Sequence, residues 1–137
     1  MKTESQVEQD FYDALQWTSL IKFVNGGLYK HGLRPFDSKK EDVIVKVTTL
    51  TAAQRQDGVV TVIAYCPNID GAEFGRLTPN KKRLSALEYK MYEMFAELKV
   101  FLEHYDNIRL DSAIGSRYDN ELKQSFTYCK IKFAYYN

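Results

Sequence analysis

The stretch "NGGLYKHGLRPFDSKKEDVIVKV", residues 25–47, joins a helical pattern to a strand pattern. How it is read decides the fold. Upstream, Val7, Phe11, Ala14, Leu15, Ile21 and Val24 recur at the three- and four-residue steps of one helix face, with Thr18 in the remaining slot. One helix is therefore expected over 5–24. Ser5 and Glu8 supply a candidate capping box at its start. Asn25-Gly26-Gly27 would stop it, because glycine accepts the left-handed backbone of a C-terminal cap. A phosphate-binding loop needs its glycines after a strand and before a helix; here that order is reversed.

Downstream, Gly27–Lys30 and Leu33–Pro35 flank His31-Gly32, so a tight turn between two short strands is expected, with Pro35 confining the second arm to a sheet edge. Glu41–Leu50 alternates, with Val43, Val45, Val47 and Thr49 on one face. Asp57-Gly58 reads as a hairpin turn. Val59–Cys66 returns from it, apolar on both faces and hence central. Residues 67–80, "PNIDGAEFGRLTPN", form a loop of the length that often carries function.

A second helix follows from Leu84, Leu87, Met91, Phe95 (with Met94 beside it), Leu98, Phe101 or Leu102, and Tyr105. It would begin at Thr78-Pro79, or at Ser85 with Glu88, and close at Asp106-Asn107. Ile108 and Leu110 open one strand, Phe126–Tyr135 form another, and 115–120 reads as the loop between them. The order is α-β-β-β-β-α-β-β. That is an α+β domain over 1–137: an antiparallel sheet of strands of mixed length with two helices packed on it.

Composition narrows the function classes. Apolar residues make up 45% and charged residues 27%, a globular balance. Nineteen basic against eighteen acidic side chains speak against a dedicated DNA-binding protein, whose affinity depends on neutralising many phosphates. Cys66 and Cys129 lie far apart and outside any C-x-x-C pair, so neither a zinc ribbon nor a redox pair is expected. The start "MKTESQVEQD" lacks an apolar signal core, and no run is long enough to span a membrane. These features lead to the expectation of a soluble, cytoplasmically made product.

No catalytic set emerges. His31 and His104 lack a second histidine at ligand spacing, so no metal or cofactor is expected. Glu88-Tyr89-Lys90 matches a short nuclease string, but positions two apart on a helix point to nearly opposite sides. Ser38, His31 and Asp42 can be combined on paper into a triad, without the G-x-S-x-G context. Asn80-Lys81-Lys82-Arg83 places three positive charges against the dipole of the helix it begins; such clusters are more often simply solvent-exposed and sometimes meet phosphates or an acidic partner surface. Phe74 and Arg76 in the long loop are residue types typical of interface anchors.

The order of elements, and the passage from Asn25-Gly26-Gly27-Leu28-Tyr29 through Leu33-Arg34-Pro35-Phe36-Asp37-Ser38 to Glu41-Asp42-Val43-Ile44-Val45, resemble tail-terminator and tail-completion proteins of long-tailed bacteriophages and prophages. Ser125–Ile131 is similar to their last strand. The aromatic end Phe133–Asn137 departs from that pattern; it would either pack on its own sheet or add to a neighbouring subunit by edge pairing.

The resemblance implies a non-catalytic structural subunit of a virion tail, made in the host cytoplasm. It implies self-assembly into a ring, commonly a hexamer, that caps the tail-tube protein and joins it to a head-completion or connector protein. No cofactor, membrane or sequence-specific nucleic acid is implied. The residues expected at partner contacts are Arg34, Phe36, Asp37, Phe74, Arg76, Lys81, Lys82, Arg83 and Tyr118. The alternative expectation is a small-ligand or peptide-binding α+β domain with a pocket between helices and sheet.

Overall fold

Two long strands form the spine of the sheet. In the computed structural model, which describes residues 1–71, 76–118 and 124–137 (backbone only at 70, 71 and 76), β3 (Arg55–Pro67) pairs antiparallel with β8 (Gln124–Tyr136). That ladder runs without a break from Arg55↔Tyr136 to Pro67↔Gln124. β2 (Val43–Leu50) flanks β3, and β1 (Leu28–Lys30) flanks β2. On the far side of β8 lie β6 (Asp106–Leu110) and, further along the same strand, β7 (Gly115–Arg117). A separate hairpin of β4 (Ile69–Gly71) and β5 (Arg76–Thr78) leaves one end of the sheet.

Three helices, α1 (Glu4–Leu15), α2 (Ser19–Phe23) and α3 (Lys81–Phe101), cover one sheet face. Alternation explains which face. Val43 and Val45 of β2, Val60, Val62, Ala64 and Cys66 of β3, and Cys129, Ile131 and Phe133 of β8 are buried in one cluster. From the helices come Val7, Phe11, Leu15, Leu20, Leu84, Leu87, Met91, Met94 and Leu98. Phe133 meets Phe11 and Tyr105 with ring centroids 5.5 and 5.1 Å apart. The opposite residues of β3 and β8, such as Val59, Ile63, Tyr65, Phe126 and Tyr128, are half-buried, and no described helix lies over them.

The α+β class and the central place of Val59–Cys66 agree with the sequence. Several boundaries differ, for local chemical reasons. The single helix expected over 5–24 is broken at 16–18. There the buried Thr18 donates its hydroxyl to the Leu15 carbonyl (2.7 Å) and occupies the N-cap position of α2. The capping box lies at Thr3 and Gln6 rather than at Ser5 and Glu8.

Leu33–Pro35 is not a strand. Instead β1 pairs parallel with β2, Leu28 opposite Val43, and residues 31–42 form the crossover. Asp57-Gly58 lies inside β3, and the turn falls at 51–54. Asp57 N–H donates to Thr51 Oγ1 (2.8 Å), and Thr51 N–H returns to the Asp57 carbonyl (2.9 Å). The long loop contains β4 and β5, the 115–120 loop contains β7, and α3 ends at Phe101, so Asp106-Asn107 begins β6 instead of closing a helix. Asn80 starts α3, its side chain accepting from Arg83 N–H (3.2 Å).

Candidate functional site

The crossover from β1 to β2 folds over the sheet face away from the helices, at its Tyr65 end. Asp42, 1% exposed, holds it in place. One carboxylate oxygen accepts from Gly27 N–H (3.0 Å); the other accepts from Arg34 Nε (2.9 Å) and from the Ser38 hydroxyl. Arg34 reaches on through Nη2 to the Lys40 carbonyl (3.3 Å) and Gln124 Oε1 (3.0 Å), and its guanidinium stacks 3.9 Å from the Tyr65 ring centre. Burial alone would raise the Asp42 carboxyl pKa. The hydrogen bonds from Ser38, Arg34 and Gly27 outweigh it and leave the group below its ordinary value.

A depressed folded-state pKa contributes stability that is present above the unfolded value of about 3.9 and lost as pH falls through the folded value. Wild-type stability is therefore expected to fall as pH drops below about 4. In Asp42→Asn the same acid titration should be shallower, starting from lower stability at neutral pH. Denaturant midpoints measured against pH check this, and equal slopes for the two proteins would refute it.

Glu41, next in the chain, points to the other face, as alternation requires. Its carboxylate takes a two-point contact from Arg83 of α3, Nε at 2.6 Å and Nη2 at 2.8 Å. Arg83 also donates to the Phe23 carbonyl (3.0 Å) and lies 3.9 Å over the Phe23 ring. The hydrogen bond to Glu41 raises the pKa of this guanidinium further. Asn25 closes the same corner, accepting from Glu41 N–H (2.8 Å). Gly26 lies between the two acids, where a Cβ would come within 2.6 Å of the Glu41 carbonyl carbon. Of the described glycines only Gly32 has positive φ (+88°), so neither Gly26 nor Gly27 acts as a left-handed cap; Gly26 is required for close approach, whereas a Cβ at Gly27 would meet only the end of the Tyr29 side chain.

Between the pinned turn and the β4–β5 hairpin lies a cleft of about 480 Å³, bounded by Phe36, Asp37, Ser38 and Lys39 on one side and Pro67, Asn68 and Leu77 on the other, with Gln124 also lining it. Phe36 is 99% exposed. The two segments expected to make contacts, 34–42 and 67–80, thus meet at one end of the sheet. Comparison with protein-family models and with curated proteins finds no match to this chain.

The other expected contact residues fall into distinct environments. Phe74 and the side chain of Arg76 lie outside the described residues. Asp37 and Lys82 are exposed. Lys81 donates to the Tyr118 hydroxyl (2.6 Å) and lies 4.0 Å from the centre of that ring, tying the start of α3 to the chain after β7. Arg34 and Arg83 are committed to internal bonds. The basic cluster at 81–83 is therefore three separate side chains: one paired with a tyrosine, one free to face a partner and one turned inward.

Sequence reasoning missed Asp42 and Glu41 as anchors, along with Tyr65 and Gln124: Glu41 and Gln124 meet arginines 42 and 90 residues away, and the nearer partners of Asp42, Gly27, Arg34 and Ser38, follow no helix or strand period. The alternation that places Asp42 and Glu41 on opposite faces was readable from the sequence. Ser38 does meet Asp42, but His31 is exposed and joins neither. His104 Nε2 lies 3.9 Å from Asp10, which also accepts from Lys2 (2.6 Å) and Tyr105 (2.6 Å). Both cysteines are free and buried, and burial pushes the Cys66 thiol up to about 11 and the Cys129 thiol to about 12. Among the described residues no group of three His, Cys, Asp or Glu side chains is placed to hold a metal, and no helix is long and apolar enough to cross a membrane.

Proposed function

We propose that this protein is a non-catalytic structural subunit of a phage or prophage tail, similar to tail terminators, that assembles into a ring on the tail tube. The observation that carries the reading is Phe36: a fully exposed aromatic on a turn held by buried bonds of Asp42 and Arg34. An aromatic presented on a turn whose backbone is already held loses little backbone entropy on docking, which suits an interface anchor. The outer face of α3 supports it. Tyr89, Tyr92 and Val100, 73%, 49% and 70% exposed, lie opposite the buried stripe of Leu84, Leu87, Met91, Met94 and Leu98. Exposed apolar side chains on the outer face of a helix whose inner face is already buried are suited to contacts within an assembly. The partners on this reading are further copies of the chain, the tail-tube protein and a head-completion or connector protein.

Phe36→Ala tests the reading. Because the side chain has no cover in the monomer, its loss should leave the folding midpoint unchanged within about 0.5 kcal/mol. Capping of tail tubes should weaken by roughly thirtyfold or more, the loss of about 2 kcal/mol typical of an anchor residue. Unchanged capping would remove Phe36 from the interface.

The second reading, a small-ligand or peptide-binding domain, is favoured by the cleft beside Phe36, not by the helix–sheet space, which core side chains fill. A thermal-shift screen of metabolites and short peptides would support it if one ligand raised Tm in the wild type and failed to do so in Gln124→Ala.

A further inference from the structure

The sheet face away from the helices carries a charge pattern that folding does not require. Arg109 of β6 lies directly opposite Lys132 of β8, two like charges across a strand pair, which destabilises a sheet. Lys130 lies two residues along β8 on the same face, and Arg117 of β7 pairs in register with Phe126. Among the described residues none of these four cations forms an ion pair. One acid adjoins the cations: Asp111, just past β6, donates its N–H to the Lys130 carbonyl (2.9 Å), but its carboxylate forms no ion pair among the described residues. Asp57 and Asp106 lie farther along, opposite Ala134, and Asp57 is already paired with Arg55.

Aromatic rings adjoin the cations. Tyr65 and Phe126 are cross-strand partners with centroids 5.9 Å apart, and Phe126 is 6.5 Å from Tyr128. Arg117 lies 4.8 Å and Lys130 5.8 Å from the Tyr128 ring centre. All three rings are half-buried, so each retains surface toward solvent. The near-zero net charge of the whole chain hides this local excess.

We propose that this face binds single-stranded nucleic acid without sequence preference, the phosphates lying on Lys130, Lys132, Arg109 and Arg117 and the bases against Phe126 and Tyr128. Unpaired cations and like charges held face to face call for an anionic ligand, and rings among them favour one that carries flat aromatic groups. A duplex, with its bases stacked inside, offers nothing to the rings. The site is independent of the ring reading: it involves neither Phe36 nor the outer face of α3.

The test is fluorescence anisotropy with labelled oligothymidylate of about 20 nucleotides, longer than the ~4–16-nucleotide sites of sheet-based single-strand binders. With four phosphates neutralised, affinity should fall roughly fiftyfold between about 50 and about 200 mM salt. Lys132→Glu should lower affinity about tenfold while Tm holds or rises, since it converts a repulsive cross-strand pair into an attractive one. Tyr128→Leu, which keeps apolar bulk, should lower it about fivefold or more. Equal affinity for a duplex or for polyglutamate, wild-type affinity in Lys132→Glu, or no binding at low salt would each overturn the proposal.

Discussion

Arg83→Met is expected to destabilise the fold by about 3 kcal/mol, a fall in Tm on the order of 10 °C. The methionine fills much of the same space, so the loss is electrostatic. The Glu41 side chain, 6% exposed, is left with a charge it cannot hydrate, and only the long contact from Asn25 N–H (3.3 Å) remains to it. The figure is at the low end for breaking a buried pair because Arg83 itself is 30% exposed. A double replacement, Glu41→Met with Arg83→Met, should recover part of the loss, since the uncompensated charge goes with its partner. Calorimetry on the three variants decides. If the double variant is as damaged as the sum of the single variants, the corner is held by packing rather than by the ion pair.

This corner also shows how far the chain could be read before its structure. Periodicity gave the α+β class, the long β2 and β3 patterns and the central position of Val59–Cys66, because burial on one face repeats every second or fourth residue. The same logic failed at 16–18. Thr18 fits the helical stripe as a buried residue, yet its hydroxyl bonds to Leu15 and ends one helix before the next begins. At 31–42 the pattern favoured a hairpin, and a parallel crossover formed instead, because Asp42 gathers Gly27 and Arg34 within the segment and Arg34 reaches on to the distant Gln124. Lys81-Lys82-Arg83 read as one basic patch, since nothing local signals that Arg83 meets Glu41 some forty residues earlier. The anchors are specific polar contacts, some of them long-range, and periodicity carries no information about those.

Gly26→Ala should be the second severe change, at about 3 kcal/mol, the upper end for overpacking. A Cβ there would drive into the Glu41 backbone and the Asp42 carboxylate, and neither can yield. The backbone atoms belong to the segment that enters β2, whose Glu41 carbonyl accepts from Gly26 N–H (3.1 Å), and the carboxylate holds Gly27, Arg34 and Ser38. Gly32→Ala provides the contrast. Nothing lies within 4 Å of its Cβ position, and only its φ of +88° resists substitution, at about 1–2 kcal/mol. Denaturant midpoints for the two variants check the ranking. If Gly32→Ala proves the worse, left-handed backbone and not close approach is the dominant demand in this segment. A loosened turn should also weaken assembly through Phe36, so Gly26→Ala is expected to lower tube capping even at temperatures where it remains folded.

The most direct test of the ring proposal is the assembly state of the purified protein, by light scattering and negative-stain microscopy, alone and with isolated phage tail tubes. Rings in solution, or caps at tube ends that are lost in Phe36→Ala, are the expected result. A protein that stays monomeric at high concentration and leaves tube ends bare would contradict it.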